Sequence, residues 1–418
     1  MFGILKNRVK TRNKQTATAK RQSRKCPPRG FRPLGPQPFQ PAFLLGAPRL
    51  LRQESFPPRR GRLKPQGAPP STLISSMKIT PLLSRFASAV LLLASPAGLL
   101  AADSIAYPAK PGPGQGKHVV LLAGDEEYRS EEALPMLAKI LSQKHGFRCT
   151  VLFSVDDQGV IDPTNQKSLS NPEALDSADA LILSLRFRNW PEETLARFEK
   201  AYLAGKPVIG LRTSTHAFSG NRLSGFGKTV LGEKWVSHWG RHKAEATRGI
   251  LEPGAEGQAL MHGVAQVFGT TDVYEAYPPE DATILIRGEV LAGMTPDAPA
   301  ASYVKKRATD KGEQDVNSPK MPIAWSRVLQ NPAGNTNRIL CTTMGSATDL
   351  ENEGLRRLVV NGVYWGLGLD VPAKADVAYV DEYRPSFYGF KGFRPGLRAS
   401  DFELGKTVPG EPLPAPKP

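Results

Sequence analysis

Residues 117–155 read KHVVLLAGDEEYRSEEALPMLAKILSQKHGFRCTVLFSV. Within them, 118–124 is a short apolar run, 131–145 carries apolar residues at helical spacing, and 148–155 is apolar again. Two apolar runs of strand length joined by an amphipathic helix are typical of a βαβ unit, whose two strands lie parallel. The segment therefore predicts the start of a parallel sheet covered by helices.

A second unit of the same kind follows. Residues 178–185 and 208–211 have the composition of buried strands, and 191–204 has helical periodicity between them. Asn189 and, three residues later, Glu192 predict a capped helix start. Strands and helices that alternate at these lengths predict an α/β fold with a doubly wound, mostly parallel sheet that is covered on both faces.

The alternation loosens in residues 212–243, which are rich in Gly, Trp and His. A last strand at 338–342 leads into a helix predicted at 349–365, with Thr348 and Glu351 as its capping box. Further extended runs are predicted at 246–251, 283–290 and 322–328.

The net charge of +16 is confined to the N-terminal segment. Residues 1–76 hold 17 Lys and Arg, one acidic residue and 12 prolines, which leaves 38 basic and 38 acidic residues in the remainder. A basic, Pro-rich segment without hydrophobic periodicity is typical of disorder. We expect residues 1–76 to come from an over-extended reading frame, so no nucleic-acid partner is predicted for the rest of the chain.

Residues 77–104 read MKITPLLSRFASAVLLLASPAGLLAADS, which has the layout of a signal peptide. We assign the signal to 77–102 and expect export to the periplasm or the medium, with no stable membrane anchor after cleavage. A single anchor helix behind a basic tail is the alternative. A Pro/Gly linker at 103–116, an α/β domain at 117–370 and a C-terminal strap with a disordered tail at 371–418 complete the predicted organisation.

Metal and cofactor signals are weak. His238 and His242 have the spacing that puts two imidazoles on one face of a helix, but Gly240 between them disfavours a helix. No CxxC motif occurs, and Cys149 and Cys341 lie in strand-like runs, where free buried thiols are expected. No metal and no cofactor are predicted.

Polar residues follow the predicted parallel strands, at the edge where ligands bind in such sheets. A cleft with acids at one side and arginines at the other would suit a hydroxyl-rich ligand, although ion pairing among these residues is an equally good explanation for each one. Which of the three acids after the first strand faces the cleft stays open. The candidates at strand ends are Asp125, Glu126, Glu127, Arg186, Arg188, Arg212, Thr213, His216 and Asp349.

Five segments together resemble the ThuA-like (trehalose utilisation) family, in the exported form of bacteria rich in carbohydrate-degrading enzymes. The resemblance covers 117 to about 395 and implies a flavodoxin-like, three-layer sandwich of the class I glutamine amidotransferase-like superfamily. The segments are GDEEYRSEEALPMLAKIL, GKPVIGLRTSTHAF, GEKWVSHWGRHKAEATRG, TDVYEAYPP and RILCTTMGSATDLENEGLRRLVVNGVYWGLGL.

One departure from that superfamily bears on the chemistry. Class I amidotransferases carry their nucleophilic cysteine in a Gly-x-Cys-x-Gly turn, whereas the matching turn here reads Gly210-Leu211-Arg212-Thr213-Ser214. An arginine cannot act as a nucleophile at ordinary pH, so glutaminase activity is expected to be absent.

Two hypotheses for the function remain. In the first, the chain is an enzyme acting on a sugar derivative, with His216 as general acid/base, Asp125 or Glu126 as the second proton-transfer group, and Arg186 and Arg212 orienting the ligand. In the second it is a carbohydrate-binding or assembly module without catalysis. A small-molecule carbohydrate is the expected partner, and a homo-oligomer is possible. The further ligand contacts expected are Arg188, Thr213, Trp235, Trp239, His242, Tyr274, Tyr277 and Asp349.

Overall fold

The computed structural model describes residues 103–407. The expectations for residues 1–76, for the signal at 77–102 and for the last eleven residues lie outside this range. The helices are α1 Ser130–His145, α2 Glu192–Leu203 and α3 Glu353–Leu367. The strands are β1 Ile105–Tyr107, β2 His118–Gly124, β3 Arg148–Phe153, β4 Ala180–Leu185, β5 Val208–Leu211, β6 Ser237–His238, β7 Thr247–Leu251, β8 Phe268–Gly269, β9 Tyr274–Glu275, β10 Thr283–Val290, β11 Val304–Lys306, β12 Glu313–Asp315, β13 Met321–Gln330 and β14 Thr336–Thr342.

Ten of these strands form one sheet in the order β1-β3-β2-β4-β5-β14-β13-β10-β7-β8. The five strands β3, β2, β4, β5 and β14 are parallel to one another. The α/β fold predicted from the sequence is thus confirmed. On one side the sheet continues through β13, β10, β7 and β8, each antiparallel to its neighbour. The extended runs predicted at 246–251, 283–290 and 322–328 lie in β7, β10 and β13, but their antiparallel pairing was not predicted.

The parallel strands are buried on both faces, which explains their continuous apolar runs. In β2, Val119 and Leu121 pack into the core formed with α1 and α3, and Val120 and Leu122 pack into the core formed with α2. Successive side chains of a strand point to opposite faces, so a strand between two helical layers must be apolar at every position.

The start of α3 differs from the sequence prediction. Thr348 and Glu351 do not form a capping box, because residues 349–351 make a separate 3-10 turn. Asn352 caps α3 instead, with its side-chain oxygen accepting from the backbone N–H of Leu355 at 2.9 Å. The cap predicted for α2 is also wrong, because the residue that precedes α2 is Pro191, which offers no side-chain acceptor.

The two ends of the described range are part of the fold. Residues 105–107, inside the segment expected to be a linker, form the edge strand β1 beside β3. Tyr107 is buried, and its hydroxyl donates to the carbonyl of Phe402 at 2.6 Å. Residues 371–407 run back across the domain and cover part of α1, since Lys139 of that helix contacts Asp381.

Cys149 and Cys341 are free and buried in β3 and β14, as predicted. Among residues 103–407, no helix combines the length and the apolar character needed to cross a bilayer.

Candidate functional site

The carboxyl ends of β2, β4, β5 and β14 meet at one edge of the sheet, and the segments that follow them carry most of the predicted site residues. A further segment, residues 235–242, approaches the same edge through β6, which pairs with β9. Side chains at this edge divide into two groups. We call Asp125, Glu126, Arg186 and Arg188 the arginine side, and Glu127, His238, His242 and Asp272 the histidine side.

Arg188 is the centre of the arginine side and is fully buried. Its guanidinium donates to the carboxylate of Glu126 at 3.1 Å and to the hydroxyl of Ser154 at 3.1 Å, and further to the carbonyls of residues 163, 165 and 186. Arg186 forms an ion pair with the other oxygen of Glu126. Burial raises the pKa of Glu126 above its ordinary value, against the two arginines, which lower it. Glu126 and Arg188 are therefore saturated by protein partners, whereas the guanidinium of Arg186 is partly exposed.

Asp125, predicted as a proton-transfer group, is also saturated by protein donors. Its Oδ1 accepts from the backbone N–H groups of Glu127 at 2.8 Å and Tyr128 at 3.0 Å. Its Oδ2 accepts from the hydroxyl of Thr213. Asp125 and Thr213 are both buried, and they tie the loop after β2 to the turn after β5. Neither is placed to contact a ligand.

Asp349 has a similar structural role. Its carboxylate accepts from the backbone N–H and the hydroxyl of Thr271 at 3.0 and 2.6 Å, and from the N–H groups of Gly345 and Ser346. It is fully buried. These bonds fix the segment that carries the next residue, Asp272, against the loop after β14.

Arg212 lies at the start of the turn that follows β5. Its backbone is left-handed, with φ 43°, which non-glycine residues adopt only where the surroundings impose it. The guanidinium packs 3.7 Å from the ring centroid of Tyr274 and 4.8 Å from that of Tyr128. It donates to the carboxylate of Asp272 at 3.1 Å and is fully buried. Arg212 therefore holds Asp272 in place without reaching solvent itself.

Asp272 organises the histidine side. Its Oδ2 lies 2.8 Å from Nδ1 of His238, and its Oδ1 lies 2.9 Å from Nδ1 of His242. Nε2 of His242 lies 3.1 Å from the carboxylate of Glu127. The side chains of His238 and His242 are 35 and 25 % exposed, whereas Asp272 is completely buried. A buried carboxylate thus holds two imidazoles that solvent can reach.

The local chain path explains how the two histidines meet without a helix. The backbone N–H groups of Trp239 and Gly240 both donate to the carbonyl of Val273, at 2.7 and 3.0 Å. A side-chain carbon on Gly240 would lie 3.2 Å from Cβ of Asp272, so this close approach favours glycine. The turn brings the ring centroids of His238 and His242 to 4.5 Å.

The pKa values on this side shift in opposite directions. Burial alone would raise the pKa of Asp272, but Arg212 and the two histidines lower it well below its ordinary value. Burial alone would lower the pKa of His242, but its hydrogen bonds to Asp272 and Glu127 raise it above that of a free imidazole. The arrangement therefore keeps Asp272 ionised.

His216, the predicted acid/base, lies beside this group but is electrostatically different. Burial, together with the charges of Arg186, Arg212 and His238, lowers its pKa to about 3. Its ring packs 5.0 Å from Phe187 and 5.6 Å from Trp235. The lowered pKa favours the neutral imidazole of His216, whose ring lies in an aromatic wall.

The aromatic residues proposed as a ligand surface fall into different environments. Trp239 is buried in the core, where its indole N–H donates to the carbonyl of Val316 at 2.8 Å, so it offers no stacking surface. Tyr277 is partly exposed and donates to Glu275 at 2.9 Å. Trp235 is 38 % exposed, and its ring lies 5.8 Å from that of His238.

The sequence analysis missed the residue on which the histidine side depends. Asp272 does not follow a parallel strand, so the strand-end argument did not select it, although it lies in the quoted segment TDVYEAYPP. Glu127, one of the three acids left open, is the one that contacts a histidine.

Comparisons with known proteins found no matching family model and no matching curated protein. Among solved structures, a ThuA-like protein from Parabacteroides merdae is 14% identical with a TM-score of 0.42, covering 61% of this chain and 92% of its own. One from Bacteroides uniformis is 14% identical with a TM-score of 0.40, covering 62% and 94%. The PurLQS structure from Thermotoga maritima is 12% identical with a TM-score of 0.33, covering 60% and 99%.

Proposed function

We propose that this chain is an exported ThuA-like protein of carbohydrate utilisation, and that it binds and acts on a sugar derivative at the histidine side. The observation that carries this proposal is the buried carboxylate of Asp272, which orients two accessible imidazoles. A fixed imidazole with a buried carboxylate behind it is a common arrangement of reactive histidines in enzymes.

The fold assignment under this proposal is a flavodoxin-like, three-layer sandwich. The parallel strands have the order β3-β2-β4-β5-β14, which corresponds to 2-1-3-4-5 in a flavodoxin-like sheet. Helices α1 and α3 share one core and α2 contributes to the other, which supports three layers. The five sequence segments quoted for the ThuA-like resemblance supply both the edge of the sheet and the histidine side.

The surroundings of His238 favour a sugar derivative as ligand. Trp235 presents a partly exposed ring beside His238, and aromatic rings of this kind stack on the apolar faces of sugars. Phe390 is exposed and lies 4.9 Å from the guanidinium carbon of Arg186. Imidazole nitrogens and partly exposed arginine groups supply hydrogen bonds for hydroxyl or carboxylate oxygens.

Export rests on the signal-like segment at 77–102. Mass spectrometry of the N-terminus of the natural protein tests it, with a start near residue 102 as the expected result. A protein that retains residues 1–76 contradicts export through this signal and restores the basic arm as a candidate nucleic-acid contact.

Loss of glutaminase activity is part of the proposal. Arg212 stands at the nucleophile position, and its side chain is buried against Tyr128 and Tyr274. Glutamine-dependent ammonia release by the purified protein would contradict this assignment.

A thermal-shift screen tests ligand binding. The panel contains mono- and disaccharides with their oxidised and acid derivatives, because a ligand that binds only the folded state raises Tm by mass action. We expect one sugar class to raise Tm, the rise to be lost in Trp235→Ala and reduced in His238→Ala, and His262→Ala to behave as the wild type. No shift with any compound contradicts the proposal.

A binding module without catalysis is the second candidate, favoured by the saturation of Asp125 and Glu126, the two carboxylates predicted to transfer protons. Incubation with the sugar class that raises Tm, followed by analysis of the products, separates the two. Turnover that His238→Ala abolishes supports the enzyme, and binding with unchanged sugar supports the module.

A further inference from the structure

We propose that His238, His242 and Asp272 form a binding site for one divalent transition-metal ion of the zinc type. Each residue offers one ligand atom, and these atoms lie within 4.8 Å of one another. Two imidazoles and one carboxylate are ligands that Zn²⁺ and related ions accept, with one or more positions left for water or substrate.

The distances between the ligand atoms are compatible with the coordination of one ion. Metal–ligand bonds of about 2.0–2.1 Å in a tetrahedral arrangement separate neighbouring ligand atoms by about 3.4 Å. Both Nδ1 atoms now lie within 2.9 Å of the Asp272 carboxylate, and an ion inserted there needs small rotations of the two rings rather than a change of backbone. Of the two carboxylate oxygens, Oδ2 has no bond to Arg212 and contacts only His238, so Oδ2 is the ligand we assign.

The residues that hydrogen-bond these ligands have the arrangement that is common around metal sites. A ligating histidine usually donates its other ring N–H to a carboxylate, and a ligating carboxylate usually accepts a hydrogen bond of its own. Nε2 of His242 lies 3.1 Å from Glu127, and Oδ1 of Asp272 accepts from Arg212 at 3.1 Å. Arg212 is in turn fixed by the carbonyls of Asp272 and Thr343, at 2.8 and 2.7 Å.

Two cations near the site bind atoms that are not assigned as ligands of the ion, since Arg212 donates to Oδ1 of Asp272 and Lys305 donates to backbone carbonyls. Arg212 is engaged by Asp272 and lies between two tyrosine rings. The ammonium of Lys305 donates to the carbonyls of His238 and Trp239, at 2.7 and 2.8 Å. Asp272 and Glu127 supply two negative charges, one of which Arg212 offsets, so a net negative charge and the lone pairs of the imidazoles face the dication.

The partial exposure of both histidines leaves room for a ligand on the ion. A metal at this position would polarise a hydroxyl or carbonyl oxygen of a sugar derivative bound beside Trp235. The metal site thus deepens the function proposed above, but its test needs no sugar, so each can fail without the other.

Zn²⁺ alone is the probe. The full-length protein, freed of metal with EDTA and dialysed, is titrated with ZnCl₂ in a calorimeter, and Co²⁺ is added in parallel to record its visible absorption. We expect one Zn²⁺ per chain and a Co²⁺ spectrum that reports nitrogen and oxygen ligands.

Variants assign that ion to the site. Loss of a group that hydrogen-bonds a metal ligand weakens metal binding by about 10–100-fold, which we expect for Glu127→Gln. Loss of a direct ligand in His238→Ala or Asp272→Asn should exceed about 100-fold. His262→Ala is the matched control, because the His262 ring is also half-buried but its hydrogen-bond partner is the backbone carbonyl of Val371 rather than a carboxylate. Near-UV circular dichroism confirms that each variant is folded.

Two results would overturn the proposal. One is the absence of Zn²⁺ binding by the wild-type protein at micromolar concentrations. The other is equal binding by the wild type and His238→Ala, which would locate the ion elsewhere on the chain. His238→Ala decides even if Asp272→Asn does not fold, because the His238 ring is partly exposed and makes one side-chain bond to the protein.

Discussion

The arginine side and the histidine side lie at the same edge of the sheet and both contain buried carboxylates, yet they differ in what those carboxylates hold. Asp125 binds backbone N–H groups and a hydroxyl, and Glu126 binds two arginines. Asp272 instead binds two imidazoles that reach solvent. Charge at a strand end therefore does not distinguish a carboxylate that is saturated by the protein from one that holds groups accessible to a ligand, and only the second kind is a candidate site.

The largest loss of stability is expected from Arg188→Ala on the arginine side. Removing one member of a buried ion pair costs about 3–5 kcal/mol, because Glu126 is left without this partner and several carbonyls lose a donor. Urea unfolding measures the change. Arg222→Ala is the control, since Arg222 pairs with Glu192 and Glu199 at the surface, where about 0–1 kcal/mol is expected. Equal costs for the two variants would contradict the distinction drawn between buried and exposed pairs.

Asp125→Ala should cost about 2–3 kcal/mol, because two backbone N–H groups and a hydroxyl lose a charged acceptor inside the protein. Asp156→Ala is a matched control, since Asp156 also accepts from two backbone N–H groups but lies near the surface, so a smaller cost is expected. Chemical denaturation gives both values. A stable Asp125→Ala that no longer turns over a sugar would return Asp125 to the catalytic role predicted from sequence.

Glu131 provides a third kind of buried carboxylate, whose oxygens have no hydrogen-bond partner in the described chain. Burial raises the pKa of Glu131 to about 8, above its value in the unfolded chain. The folded state then binds the proton more tightly, so its stability falls as pH rises from about 4.5 to about 8.

Glu131→Gln should remove this fall in stability with rising pH. At pH 9 the variant should be more stable than the wild type, with little difference at pH 4. Urea unfolding across this pH range measures the effect. Unfolding free energies that change with pH in the same way in both proteins would contradict a raised pKa of Glu131. Glu131 would then resemble the carboxylates of the arginine side, which have hydrogen-bond partners.

The smallest loss of stability, about 1 kcal/mol, is expected from His238→Ala on the histidine side, because the change removes one hydrogen bond to Asp272 but leaves a partly exposed place that water can fill. The same change should weaken metal binding by more than about 100-fold and reduce the rise in Tm that the sugar ligand produces. His145→Ala gives the opposite pattern, since His145 is buried between the hydroxyl of Tyr364 and the carbonyl of Asp376. Titration calorimetry and unfolding of both variants test this, and an unfolded His238→Ala would make the histidine side a structural element.

Sequence reasoning succeeded where a single segment carries its own signal. The runs predicted at 118–124, 208–211 and 283–290 coincide with β2, β5 and β10. It failed at helix starts, where Thr348 and Glu351 match a capping pattern but Asn352 makes the cap. It also set aside the pair His238 and His242, because their spacing was considered only for a helix. A turn whose N–H groups donate to the carbonyl of Val273 brings the two rings together instead.

The sequence by itself determined the α/β architecture, because burial on both faces of a sheet imposes continuous apolar strands separated by amphipathic helices. Tertiary structure alone decided which polar residues are saturated by protein partners and which remain accessible to solvent. Thr213 reaches Asp125 across 88 residues, and Arg212 reaches Asp272 across 60, so whether a carboxylate is saturated or left to orient a histidine depends on partners distant in the chain. Side-chain chemistry is local, but the satisfaction of hydrogen bonds is a property of the folded chain.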